Sequence, residues 1–100
     1  MTTHVFQGEL FPWREDQPDS WVFVALPEDV SDRIDDELTD PPRGFGSVRV
    51  EVTVGESTWS TSLFPSKEQG TYVLPVKKPV RRAERIDAGD TARFAVEVVE

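Results

Sequence analysis

The pattern that most restricts the fold of this chain is a strict alternation of valine with polar residues over positions 48–54, VRVEVTV. Side chains of a β-strand point in turn to the two faces of a sheet, so this alternation predicts an antiparallel strand with one face on a hydrophobic core. A Gly-Glu turn follows, and residues 57–63 predict the returning strand of a hairpin, with Trp59 and Leu63 on one face. Pro65 is expected to end that strand, because proline has no N–H to give to a sheet.

Further strands are predicted at residues 5–11, 21–26, 72–76 and 92–99. Residues 21–26 are apolar at every position, which predicts a strand that is covered on both faces or whose outer face is capped by a helix. With the hairpin, these segments make six strands. The residues predicted to form the core are Trp21, Phe23, Val50, Val52, Leu63, Leu74, Phe94 and Val96.

Two short helices are predicted between the strands. In residues 28–38, apolar side chains recur at every fourth position, so they lie on one face while most of the acids point away. Pro27 and the acids that follow it favour a helix start at this point. The second helix is predicted over residues 79–86, with Val80 and Ala83 as its apolar edge.

The chain order β-β-α-β-β-β-α-β has no βαβ rhythm, so it predicts a mainly β protein with a small closed antiparallel barrel rather than a doubly wound parallel sheet. The two halves also share a spacing. Trp21 opens a strand, Pro27 opens a helix, and an isoleucine lies seven residues past that proline. Tyr72 and Pro79 open the matching pair, again with an isoleucine seven residues on. This spacing suggests an internal repeat.

Length and composition limit the remaining possibilities. One hundred residues are expected to form one domain over residues 1–100, because a chain of this size builds a single core. No run approaches the ~20 apolar residues of a membrane span, the first residues lack a signal pattern, and the chain has no cysteine. A cytoplasmic protein is therefore expected. The net charge of -8 opposes broad binding to nucleic acid or to anionic membranes, and a monomer or weak dimer is expected.

Four short sequences together carry a family resemblance. They are WVFVALP at 21–27, TSLFP at 61–65, YVLPVKKPVR at 72–81 and GD at 89–90. With them the chain resembles, over residues 5–99, a small prokaryotic β-barrel domain of unknown function that occurs alone or in front of a YdeI/OmpD-associated domain. The resemblance implies a barrel of the double-split type, with six antiparallel strands and two short helices.

Residues 75–90 also resemble half of the AbrB/MazE DNA-binding module, in which a strand, a short arginine-containing helix and a Gly-Asp turn follow one another. Related sequences often carry glycine at the end of the second helix, where this chain has Arg85. A different C-terminal cap is therefore expected there.

Side chains that could carry catalysis or bind a metal form no recognised pattern. His4 is the one histidine, and it is expected to be a surface residue because a general base needs a partner. The hydroxyl residues of 57–62 lack the G-x-S-x-G pattern and are expected to be strand formers. The seven acids of 28–40 lack calcium-loop spacing, and residues 44–46, Gly-Phe-Gly, lack the lysine of a phosphate loop. The sequence therefore predicts no catalytic residue, no metal ligand, no cofactor and no enzymatic activity.

The basic segment 77–85 is the one local composition with a functional signature. It holds five bases against one acid, a local charge of +4 in a chain of -8. Lysines at a helix start are unfavourable because the helix dipole is positive there, and arginines four residues apart repel each other. Lys78 before Pro79 is also a poor N-cap, because its side chain has no hydrogen-bond acceptor. An anion site is therefore predicted at Lys77, Lys78, Arg81 and Arg82. The alternative is internal: the acids of 28–40, net −6, pair with these bases.

Three functions follow from these observations. The leading hypothesis is a non-enzymatic binding module that takes a small anionic ligand, or an acidic protein surface, at this basic helix start. The alternative is an AbrB-like DNA-binding transcription or antitoxin module, which requires a dimer and a steep dependence of affinity on salt. The third is a structural domain lost from a longer YdeI-type protein.

Overall fold

The computed structural model describes residues 3–13, 21–38 and 46–99, which contain six strands and two helices. The elements are β1 (Thr3–Pro12), β2 (Val22–Ala25), α1 (Glu28–Glu37), β3 (Val48–Val54), β4 (Ser57–Ser66), β5 (Thr71–Pro75), α2 (Lys78–Glu84) and β6 (Thr91–Val98). The strands close into a barrel in the order β1-β2-β5-β4-β3-β6, and every neighbouring pair is antiparallel. The predicted six-stranded antiparallel barrel with two short helices is confirmed.

The topology of the barrel repeats a ββαβ unit. The strands β1, β2 and β3 of the first half correspond to β4, β5 and β6 of the second, and exchanging the two sets leaves the neighbour relations around the barrel unchanged. Each helix follows the second strand of its half. The prolines that suggested this repeat are not equivalent, however. Pro27 is the N-cap of α1, whereas the N-cap of α2 is Lys77, and Pro79 lies two residues further on. The repeat therefore lies in the strand order, and the proline spacing is displaced by two residues.

Alternate side chains of the strands fill the barrel. All four valines of Val48–Val54 are buried, and the Phe94 ring is fully buried and stacks on Phe6 with centroids 5.7 Å apart. Of the eight residues predicted for the core, seven are buried. Trp21 is the exception, with 66% of its surface exposed, because it precedes β2 and its indole lies outside the barrel.

Strand β4 continues past the proline that was expected to end it. Pro65 lies opposite Tyr72 in the pairing with β5, and the strand runs to Ser66. The pairing of β4 with β3 ends at Leu63, so residues 64–66 pair with β5 in its place. A proline is tolerated there, because residues 64–66 pair with a strand on one side alone and the missing N–H of Pro65 is not needed on the other side.

Helix α1 lies against the barrel through the apolar face that the sequence predicts. Val30 and Ile34 are buried among the core residues. Ser31 is buried on the same face, where its hydroxyl bonds the Thr71 hydroxyl and accepts the Tyr72 backbone N–H at 3.1 Å. This polar contact attaches the helix to the first residues of β5.

Two longer side chains fasten the second half of α1. The Tyr72 hydroxyl donates to Asp35 Oδ1 at 2.5 Å. His4 was expected at the surface, but it is buried, with Nε2 3.2 Å from Glu37 Oε2. Its position explains the difference, since His4 lies two residues before Phe6 and therefore on the same inward face of β1. Neither of the two helices in the described residues is long and apolar enough to span a bilayer.

Candidate anion site and the aromatic groove beside it

The predicted site begins where β5 passes into α2. Lys77 has an extended backbone and forms the N-cap, and no side chain accepts a hydrogen bond from the free N–H groups of the helix. The missing acceptor agrees with the sequence prediction, although the cap residue is Lys77 rather than Lys78. Helix α2 has seven residues, too short for a strong macrodipole. Any attraction for an anion here must therefore come mainly from the charged side chains.

Arg85 ends the helix in the left-handed conformation, with φ 57°. Its N–H points to the carbonyl oxygens of Arg81 and Arg82, and the Ile86 N–H donates to the Arg81 carbonyl oxygen at 3.0 Å. This cap is the one that glycine usually provides, because glycine adopts positive φ at no steric cost. An arginine therefore occupies the strained position of a glycine-type cap, and the different C-terminal cap that was expected at Arg85 is not found.

The side of α2 that faces the barrel is held by Glu84. Its carboxylate accepts a hydrogen bond from Ser57 Oγ at 2.6 Å and occupies the space that a side chain at Gly55 would need. Val80 packs against the core, but Ala83, predicted to share the apolar edge, is exposed. A polar contact thus replaces part of the apolar edge that was expected for this short helix.

Arg81, one of the four predicted site residues, is already bound within the protein. Its side chain is 11% exposed; Nε donates to the Val76 carbonyl oxygen at 3.1 Å, and Nη1 lies 3.0 Å from Asp87 Oδ1. The Ala88 backbone N–H and the Arg81 guanidinium together hold the pKa of the Asp87 carboxyl below its usual value. Arg81 therefore fixes the chain on both sides of α2, and its charge is partly neutralised.

The other bases of the segment lie apart from the Arg81–Asp87 ion pair, although the charge of Lys78 also helps to hold the pKa of Asp87 below its usual value. Among residues 3–13, 21–38 and 46–99, no ion pair involves Lys77, Lys78, Arg82 or Arg85. The acids of α1 do not reach them: Asp29 pairs with Arg33 on its own helix instead. The internal pairing that the sequence left open is thus absent between α1 and α2.

Two hollows lie around these bases. The first, of about 350 Å³, is lined by Trp21, Val22, Pro75, Val76, Lys77, Lys78 and Arg81. The second, of about 300 Å³, is lined by Lys78, Arg81, Arg82, Arg85, Ile86 and Asp87. Both are at the small end of the range for ligand sites. Three of the predicted residues line the first hollow and three line the second, so the four are brought together.

A larger depression, which the sequence did not predict, adjoins the first hollow. This aromatic groove has a volume of about 730 Å³, and its rings are those of Phe11, Trp13, Trp21, Phe23 and Phe64. Phe23 lies at its centre, 8% exposed, with ring centroids of its neighbours 5.5 to 6.3 Å away. Trp13 and Trp21 are 65% and 66% exposed. The outer face of β2 is thus covered by two indoles, which agrees with a strand covered on both faces and not with the alternative of a helix cap.

Trp21 belongs to both depressions. It lines the aromatic groove and also the hollow of Lys77 and Lys78. The backbone carbonyl oxygen of Trp21 accepts a hydrogen bond from the backbone N–H of Trp13 at 2.6 Å, which places the two residues at the same end of the β1–β2 pair. The sequence signal for this arrangement was the placing of Phe11 with Trp13, and of Trp21 with Phe23, two residues apart on extended segments.

The remaining candidate groups take structural positions. Ser57 is bonded to Glu84, as described, and the α1 acids do not gather into a metal-binding group within the part of the chain that the structure describes. Asp40 and the first two residues of the Gly-Phe-Gly segment lie outside the described residues.

Comparison with known proteins gives one family. A family model described as "Domain of unknown function (DUF1905)" matches residues 6–96, nearly the whole chain. No curated protein matches the sequence. The association with a YdeI/OmpD-type domain and the AbrB-like character remain predictions.

Proposed function

The chain belongs to the DUF1905 family, whose name assigns no activity, and from its geometry we propose a non-enzymatic module that binds a small anionic ligand through Lys77, Lys78 and Arg82. The observation that carries this proposal is a set of exposed cations without ion-pair partners in the described residues, gathered around two hollows of a chain with net charge -8. Like charges this close repel one another, and a bound anion relieves that repulsion.

Arg81 has a positioning role in this proposal. Its bonds to Val76 and Asp87 join the residue that follows β5 to the turn after α2. The backbone of the helix is therefore held at both ends, which fixes the points from which its exposed bases extend. Such a fixed backbone favours binding, because less backbone freedom is then lost when the ligand binds.

A small anion fits the site better than an acidic protein surface. The bases line hollows of about 300 and 350 Å³, which is the lower end of the volume range for small-molecule sites. A stable protein partner would cover roughly 800 Å² on this chain, far more than the exposed bases of a seven-residue helix provide.

Thermal unfolding tests the proposal. Phosphate at about ten times its dissociation constant stabilises a protein by about 1.4 kcal/mol, a rise of roughly 6–10 °C in Tm for a domain this small. We expect a rise beyond that given by chloride at matched ionic strength, and we expect Lys78→Ala with Arg82→Ala to abolish it. The control, Arg49→Ala with Arg93→Ala, removes two exposed charges that line neither hollow and should keep the response. Equal responses in both double variants would refute the site.

The DNA-binding alternative predicts a different result with the same protein. An AbrB-like module would sediment as a dimer and shift duplex DNA at about 50 mM salt, with affinity that falls steeply as salt rises. We expect a monomer or weak dimer and no duplex shift. A duplex shift that disappears in the Lys78→Ala, Arg82→Ala variant would replace our proposal with this alternative.

A further inference from the structure

We infer that the ligand is an aromatic phosphate, whose flat ring lies in the aromatic groove against Trp21 and whose anionic group reaches Lys77 and Lys78. The inference rests on the proposed function and names the ligand class. It depends on the cavity walls and the ammonium groups, and not on the short helix as such.

Three rings of the aromatic groove, those of Trp13, Trp21 and Phe64, are exposed outside the barrel interior. The interior is already filled by residues such as Leu10, Val24 and Leu74, which are fully buried. Single exposed apolar residues are ordinary, but contiguous aromatic surface on a small domain marks an interaction site. The groove, at about 730 Å³, lies within the usual volume range for sites that take organic ligands.

The ring geometry in the groove provides a stacking platform. Trp21 stacks on Phe23 with 17° between the ring planes and centroids 6.2 Å apart. The Trp21 indole is also 66% exposed, so much of its surface beside Phe23 is uncovered. A flat ring placed on that exposed surface in the groove would extend the aromatic cluster, which is the mode by which exposed indoles hold bases and other aromatic groups.

Charge fixes the direction of the ligand. Among the residues that the structure describes, the charged ones that line the groove are one base and one acid, Lys67 and Glu68, whose charges cancel. Lys77 and Lys78, which form no ion pair in the described residues, line the hollow that shares Trp21 with the groove. A ligand that uses both parts therefore has a neutral ring at one end and a negative group at the other.

Isothermal titration calorimetry with matched probes tests this inference. The first pair is 2-naphthyl phosphate against inorganic phosphate; the second is AMP against ribose 5-phosphate, which places a longer spacer between ring and phosphate. We expect at least one aromatic phosphate to bind about 10-fold more tightly than its ring-free counterpart, the lower range of a base–aromatic stack. 2-Naphthol, which has the ring alone, should bind more weakly than 2-naphthyl phosphate.

Variants at Trp21 and at the two lysines locate the two halves of the ligand. Trp21→Ala should remove the advantage of the ring and leave the affinity for inorganic phosphate unchanged, while Trp21→Phe should keep most of that advantage. Lys77→Ala with Lys78→Ala should weaken binding of both members of each pair. Val5→Ala, an exposed apolar truncation outside the groove, is the control and should change neither. Melting curves of all variants verify that they are folded.

Each remaining result decides between the two proposals. If phosphate binds through Lys77 and Lys78 but neither ring adds affinity, the ligand class is wrong and the proposed function stands. If no phosphate binds to the parent protein, both fail. If sedimentation shows a dimer that Trp21→Ala abolishes, the groove is covered by a second copy of this chain, and the aromatic ligand is refuted.

Discussion

Arg85 has the one positive φ that the described chain shows outside glycine, and it therefore gives the most direct test of local strain. A non-glycine residue in the left-handed conformation destabilises the folded protein by about 1–2 kcal/mol. Glycine removes this strain, but its larger conformational entropy in the unfolded chain offsets roughly half of the gain in stability. We expect Arg85→Gly to raise the free energy of unfolding by about 0.5–1 kcal/mol. Urea unfolding measures it, with Arg85→Ala as the control that retains the strain. A destabilised glycine variant would mean that the arginine side chain contributes more than the strain costs.

Tyr72 makes the contact between barrel and α1 sensitive to alkaline pH. Burial, followed by the hydrogen bond and charge of Asp35, raises the pKa of Tyr72 above its ordinary value of 10.0. The unfolded chain releases the phenol proton near pH 10 while the folded protein retains it, so this contribution to stability is complete below pH 10 and is lost as pH rises above it.

We accordingly expect Tyr72→Phe to lower the free energy of unfolding by about 0.5–1.5 kcal/mol at pH 7, because it removes the hydrogen bond from the phenol to the exposed Asp35 carboxylate. The difference between variant and parent should shrink between pH 10 and pH 11. Denaturant melts at both pH values measure it. A difference that grows with pH would contradict the assigned direction of the shift.

Among the secondary-structure elements, α2 depends on specific polar contacts more than on apolar packing, since its described residues include none that is fully buried. Glu84 holds one side through Ser57, and Arg81 holds both ends. Neighbouring arginines therefore have different roles. Arg81 lies against the protein, whereas Arg82 is exposed and has no ion-pair partner in the described chain.

This contrast predicts opposite results for two adjacent substitutions. Arg81→Ala should lower the free energy of unfolding by about 1–2 kcal/mol, because it removes two hydrogen bonds of a charged group. Arg82→Ala should change stability by less than about 0.5 kcal/mol and weaken phosphate binding. Chemical denaturation and calorimetry on the same samples separate the two. Equal losses of stability would show that Arg82 is also structural.

The elements differ in how far sequence could predict them. Strand Val48–Val54 was predictable with its exact bounds, because its polar residues alternate with valines and so show which face points away from the barrel interior. In β2 both faces are apolar, so alternation could not show that Val22 and Val24 point inward while Phe23 points outward. The groove was missed for the same reason. Its rings come from three strands and their ends, and only the closed barrel brings them together.

At the scale of the whole molecule, the barrel is a single interior that both halves fill. The local excess of bases at 77–85 was visible in the sequence, but the engagement of Arg81 and the freedom of its neighbours depend on how the barrel places Val76 and Asp87. The sequence thus predicted where the basic segment lies. The structure shows in addition that Arg81 is held by contacts within the protein, whereas Arg82 is exposed.

Phe94 tests the shared interior. It is fully buried on β6 and stacks on Phe6 of β1, so Phe94→Ala leaves a cavity at the join that closes the barrel. We expect a loss of about 3–5 kcal/mol in the free energy of unfolding, a large part of the stability of a domain this size. Urea denaturation measures it, with the exposed Val5→Ala as control. A loss below about 1 kcal/mol would place Phe94 outside the core.

The central claim is that the bases around α2 form the anion site, and a phosphate titration followed by amide ¹H–¹⁵N spectra of the labelled protein tests it most directly. We predict saturable shifts at residues 77–86 and at the Trp21 indole, with little change at the exposed bases Arg33, Arg49 and Arg93. Saturable shifts centred on those other bases, or no saturable shift at residues 77–86, would contradict the proposed site.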